Sequence, residues 1–138
     1  MLDANMVGCI IRDNPPEVRN RLLAVQMDNM RLSTLTQGEM LYALAKEGSP
    51  EQLAKLVQQF LQRIQVMPWD EEAAAAYGEL RASCEEHGVT LGTMEMMLAA
   101  HAIATTSILV THNKAYSHVP GGKLLVQDWV QLPESLAR

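Results

Sequence analysis

Apolar positions along this chain follow two alternating rhythms. A spacing of three to four residues marks helices with one buried side, and short unbroken runs mark buried strands. Asn14-Pro15-Pro16-Glu17 offers an N-cap Asn, a proline at the first helical position and an early Glu. It predicts a helix over 15–27 that buries Val18, Leu22, Leu23 and Val25. Ser49-Pro50-Glu51-Gln52 repeats this signature ahead of Leu53, Leu56, Val57, Phe60, Leu61 and Ile64. Asp70 caps a third helix reaching Glu86, with Gly88 as its terminator. Further helices open at Thr36 and near Thr93. Between them, 31–34, 65–67, 107–111 and 124–126 read as strands, and Met1-Leu2 as the end of a short one. Strands separated by helices predict right-handed crossovers and a largely parallel sheet, hence an α/β fold.

Length and composition fit this picture. A chain of 138 residues makes one domain burying about two-thirds of its unfolded surface. We expect that domain to span 1–132, with 133–138 as a fraying tail. Hydrophobic residues reach 48% but aromatics only 4%, so the expected interior is aliphatic, with helices covering a small sheet. The net charge of −5 counts against loose binding to a phosphate backbone. It leaves open an enzyme acting on nucleic acid, because bound cations dominate local charge. Cys9 and Cys84 lie far apart without a CxxC spacing, which predicts reduced thiols in the cytoplasm. No run approaches the ~18 apolar residues of a membrane span, and no leader of basic then apolar residues opens the chain, so no membrane association is expected.

Candidate chemistry rests on four oxygen-bearing side chains. Asp3 and Asn113 follow strand ends, while Glu39 and Glu95 stand in the first turns of predicted helices. Taken singly, each has a structural explanation: Asp3 as a turn residue, Glu39 as the partner of Thr36 in a capping box, Glu95 as a carboxylate favoured by the helix dipole, and Asn113 as the start of a loop. Together they belong to one edge of a parallel sheet, where ligands gather at the carboxyl ends of strands. Carboxylate and amide oxygens meeting there suit a hard divalent cation.

Several segments, in order, carry a resemblance to a known family. They are Met1-Leu2-Asp3-Ala4-Asn5, then Leu32-Ser33-Thr34-Leu35-Thr36-Gln37-Gly38-Glu39 with Leu41-Tyr42, and Ala76-Tyr77-Gly78-Glu79-Leu80-Arg81. Later come Glu95-Met96-Met97-Leu98-Ala99-Ala100-His101-Ala102, Leu109-Val110-Thr111-His112-Asn113, Val119-Pro120-Gly121 and Asp128-Trp129. From Met1 to about Trp129 the chain resembles the PIN-domain ribonucleases, and among them the VapC toxins of VapBC toxin–antitoxin modules.

The resemblance implies a three-layer α/β/α domain with a mainly parallel central sheet. It also implies an endoribonuclease dependent on Mg²⁺ or Mn²⁺ that hydrolyses RNA phosphodiester bonds, often in tRNA. Asp3, Glu39 and Glu95 would be the acidic metal ligands and Asn113 the fourth polar member. Such toxins form homodimers silenced by a cognate VapB antitoxin.

The chain departs from the family pattern in four places. Glu95 replaces a usual Asp, Ala4 a usual Thr, fewer residues precede Asp3, and the loop after Asn113 carries Tyr116 where Phe is common. These departures keep a second reading open, a PIN-like binding module with impaired catalysis. A PIN nuclease of RNA processing is a third. Elsewhere, His101 reads as a buried structural histidine and His112 as a solvated one. His87 and His118 lack zinc-ligand spacing, and Met94, Met96 and Met97 read as core filling.

Overall fold

A computed structural model describes residues 1–130. The predicted tail and the domain boundary at 132 lie outside the described residues. Helices are α1 (Ala4–Arg12), α2 (Pro16–Leu23), α3 (Thr34–Lys46), α4 (Glu51–Arg63), α5 (Glu71–Glu86) and α6 (Thr93–Ala104). Strands are β1 (Arg31–Ser33), β2 (Gln65–Met67), β3 (Ile108–Val110) and β4 (Leu125–Gln127).

Two parallel pairs, β1 with β2 and β3 with β4, flank the first residues of the chain. Leu2 bridges Val110 in parallel, Asp3 N–H donates to the Val110 carbonyl at 3.1 Å, and Leu2 N–H donates to the Arg31 carbonyl at 3.2 Å. The row therefore runs β2, β1, the N-terminal segment, β3, β4. Successive residues of a strand point to opposite faces, and each face has its own core. Leu2 and Val110 join Met6, Val18, Leu32 and Val57 on one side. Met1 and Leu109 join Leu80, Cys84, Leu98 and Ala99 on the other. This is the three-layer α/β/α arrangement with a parallel sheet that the resemblance implied.

Local readings differ in instructive ways. Helix α1 was not expected: Asp3 caps it by accepting Met6 N–H at 2.8 Å, and Met6 and Val7 face the core. Helix α2 stops at Leu23 rather than residue 27, and Leu23 is 72% exposed rather than buried. Asn14 does not cap it; Pro15 holds the cap position without a side-chain bond. Helix α3 opens at Thr34, capped by Ser33 rather than at Thr36. Thr36 is buried and donates to the Leu2 carbonyl, so the Thr36–Glu39 capping box does not form. Asp70 caps α5 as expected, accepting Ala73 N–H, and Gly88 follows that helix with φ +70°. Leu56, expected in the core, is 41% exposed on α4. The methionines divide: Met96 is core, while Met94 is exposed. Among the described residues no helix is long and apolar enough to cross a membrane.

Candidate active site

Asp3, Glu39, Glu95 and Asn113 come from the N-terminal segment, α3, α6 and the end of β3, and all four line one cavity of about 260 Å³. Asn5, Thr36, Met94 and Tyr116 complete much of its wall. Ala4 lines it too, at the place of the family's usual Thr. No Lys, Arg or His stands among the described lining residues.

Asp3 is the most constrained of the four. It is only 7% exposed, and while one oxygen caps α1 the other accepts the hydroxyl of Thr111. Burial pushes its carboxyl above the ordinary range; the bonds from Thr111 and Met6 oppose this, and the charge of Asp128 adds to it. Thr111, fully buried, also accepts Asn113 N–H at 3.0 Å, coupling the first acid to the loop that carries the fourth site member.

Glu95 serves its own helix as well as the cavity. One oxygen accepts Gly92 N–H at 3.2 Å, closing the N-terminus of α6, and the other accepts the Asn113 amide at 2.8 Å. A side-chain carbon at Gly92 would sit 2.8 Å from that first oxygen, so glycine is what admits the folded-back carboxylate. Asn113 in turn caps a 3₁₀ turn (Lys114–His118) by accepting Ala115 N–H. Glu39 projects from α3 as an exposed carboxylate. Among the described residues, no three His, Cys, Asp or Glu side chains are gathered tightly enough to hold one ion. The acids share a cavity without being drawn to a single point.

Sequence reasoning did not single out Thr111, Tyr116 or Asp128 for the site. Tyr116 is buried at the cavity wall, and burial pushes its phenol well above the ordinary range, with the charges of Glu95 and Asp3 adding to the shift. Asp128 accepts from His112 Nδ1 at 2.8 Å, so that exposed histidine is paired rather than free in solvent. A hydroxyl two residues before Asn113, and an aromatic three after it, were the available signals. Only the fold brings them to Asp3.

Thr111 yields a direct test of this geometry. Thr111→Val keeps the shape but strips a bond to a buried carboxylate, an expected loss of about 2 kcal/mol in urea unfolding. The Asp3 carboxyl should move further upward. Unchanged stability would remove Thr111 from its assigned role.

A parallel sheet wrapped by helices on both faces, with acids from separated segments facing one cavity at the strand ends, defines a class, and the PIN domain model matches residues 1–122. The chain belongs to the PIN-domain family. It is 33% identical to the tRNA(fMet)-specific endonuclease VapC of Shigella flexneri over 94% of this chain and 96% of that one. The enzyme of the same name from Salmonella typhimurium is 30% identical, with the same two coverages. In three dimensions it superposes on a chain of the Rickettsia felis VapBC2 complex, solved bound to a promoter DNA fragment, with TM-score 0.84 and 28% identity. That match covers 94% of this chain and 97% of the other.

Proposed function

We propose that this chain is a metal-dependent endoribonuclease toxin of the VapC kind, cutting tRNA and held in check by a VapB-like antitoxin. One observation carries the reading: four separated segments deliver Asp3, Glu39, Glu95 and Asn113 to one cavity. Similarity along nearly the whole chain to proteins named as tRNA endonucleases supports it.

The donor set fits Mg²⁺ or Mn²⁺. It is made of oxygens, no cationic side chain lines the described cavity, and Asp3 is desolvated with only a small opposing charge effect from His112, a state that a hard cation relieves. One or two of the carboxylates of Asp3, Glu39 and Glu95, with water, would hold the ion. Such an ion offsets charge on a phosphoryl transition state and acidifies water. The protein's own part is positional: Met6 N–H and the Thr111 hydroxyl fix both oxygens of Asp3, and Asn113 steadies Glu95. Glu39, on the exposed side of α3, remains the adaptable member.

Partner binding draws support from a different surface. Ile10, Leu22, Leu23, Leu56 and Phe60 line an apolar groove formed by α1, α2 and α4. It suits an apolar antitoxin segment, and the superposed Rickettsia felis protein was solved in a VapBC complex. Exposed Leu41 and Tyr42 on α3 are the natural contact for a homodimer in the cytoplasm.

The test is cleavage of initiator tRNA by the purified protein. Discrete products are expected with Mn²⁺, and none after chelation. A second reading, an antitoxin-binding domain without cleavage, is favoured by the two internal bonds that already occupy Glu95. Intact tRNA throughout a complete pool, with antitoxin still bound, would establish that reading instead.

A further inference from the structure

We propose that His101 is a positioning residue of the acidic site: its imidazole, bonded to Ser33, sets α6 and its Glu95 against α3 and its Glu39. This rests on the cavity being the cation and RNA site proposed above.

The geometry is specific. His101 is 1% exposed, and its Nδ1 lies 2.7 Å from Oγ of the fully buried Ser33. Ser33 is also the N-cap of α3, accepting Leu35 N–H at 3.1 Å. Oγ accepts there, and we assign its hydrogen to Nδ1, which places the neutral ring's own proton on Nε2. A second strut runs alongside. Trp69 donates its backbone N–H to Thr34 Oγ1 at 3.1 Å and its indole N–H to the Met97 carbonyl at 3.0 Å. Met97 and His101 lie one turn apart on α6, and Ser33 and Thr34 are adjacent at the start of α3. Two polar links thus join the same short stretches of the two helices. α6 packs far more extensively on α5 than on α3, so these links bear much of the spacing across the cavity.

One atom marks His101 as more than packing. Its buried Nε2 makes no close hydrogen bond, and the Pro68 backbone is a polar group that acts on the ring. An apolar side chain would fill the same space without that unmatched group. Burial holds the ring below the ordinary histidine range, opposed by the charge of Asp70 and the nearby Pro68 backbone, in keeping with a neutral ring that accepts from Ser33.

The consequence follows from tolerance. Catalytic constellations must be held within about 0.5 Å. Loosening α6 against α3 should therefore weaken joint use of Glu39 and Glu95 before it unfolds the domain. Mn²⁺ binding by calorimetry, tRNA cleavage and thermal melting, compared across variants, test this. His101→Leu is expected to weaken Mn²⁺ binding about tenfold and to lower kcat more than it raises KM, with the melting temperature held. His101→Asn, whose amide reaches the Nδ1 position, should restore both to within about threefold. Ser33→Ala should reproduce the leucine effect on Mn²⁺ binding and kcat, with a lower melting temperature from the lost α3 cap, and the double variant should bind Mn²⁺ no worse than either single one.

A folded His101→Leu protein with wild-type Mn²⁺ affinity and kcat overturns the inference. So does an equal loss in His101→Leu and His101→Asn that tracks a fall in melting temperature, which is the behaviour of a packing residue. If His101→Leu does not fold, the Asn and Ser33→Ala variants decide. Wild-type protein that neither binds Mn²⁺ nor cleaves tRNA fails the underlying site reading, a result distinct from either.

Discussion

Asp3→Asn is expected to lower RNA cleavage by roughly 100-fold or more and, with divalent cations chelated, to raise the melting temperature at neutral pH. The two effects share one cause. Asp3 is buried, and its carboxyl is held above its ordinary value of 3.8. Between that value and the folded one, the native protein keeps a proton that the unfolded chain has released. The stability this group contributes is fully present below pH 3.8 and is lost as pH rises through the folded value. At neutral pH the ionised carboxylate therefore burdens the fold; an amide removes that charge, although it accepts from only one of Met6 N–H and the Thr111 hydroxyl, which offsets part of the gain.

Mn²⁺ should reverse the order, because a ligand bound only by the native wild type stabilises it by mass action. Melting curves with chelator and with Mn²⁺ read both arms. A variant that still cuts tRNA at the wild-type rate would remove Asp3 from the site.

The second large effect concerns neutralisation. Leu23→Glu is expected to weaken antitoxin binding by at least about 100-fold, near 3 kcal/mol, while cleavage of tRNA by the free protein is unchanged. Leu23 is 72% exposed and Leu56 41% exposed on one apolar groove, away from the acidic cavity. A carboxylate buried against a partner's apolar segment loses hydration, a cost that outweighs pairing with Arg63 on the same groove. Co-expression gives the cellular reading: the antitoxin should protect cells from the wild type and fail against the variant. Full protection by the antitoxin would move the docking surface elsewhere.

How far the sequence carried these conclusions depended on distance along the chain. Asp70, Gly88 and the run 107–111 act through near neighbours, and the structure uses them as their local chemistry suggests. Asp3 was legible as an acid behind a strand, yet its capping of α1 went unread, although Met6 and Val7 stand where a capped helix would bury them. Periodicity also put Leu23 and Leu56 among buried residues. Spacing identifies an apolar face without saying whether the same chain or another covers it. Thr36 illustrates competition: a hydroxyl suited to a capping box instead meets the Leu2 carbonyl, and Ser33 takes the cap. The Thr111–Asp3 and His101–Ser33 pairs span separations of 108 and 68 residues, which no local pattern encodes. The four candidate residues were selected through chemistry and resemblance, and they line one cavity.

The position of the N-terminal segment in the middle of the sheet also orders events in time. Asp3 is synthesised 108 residues ahead of its side-chain partner Thr111, and its backbone partner is the adjacent Val110. A ribosome adding about 5–20 residues per second must make most of the chain before those partners exist. Growing chains shorter than this cannot assemble the acidic site. Under the proposed function, the hazard thus arises only once residue 111 has been made, and a messenger cut before that point yields no active fragment.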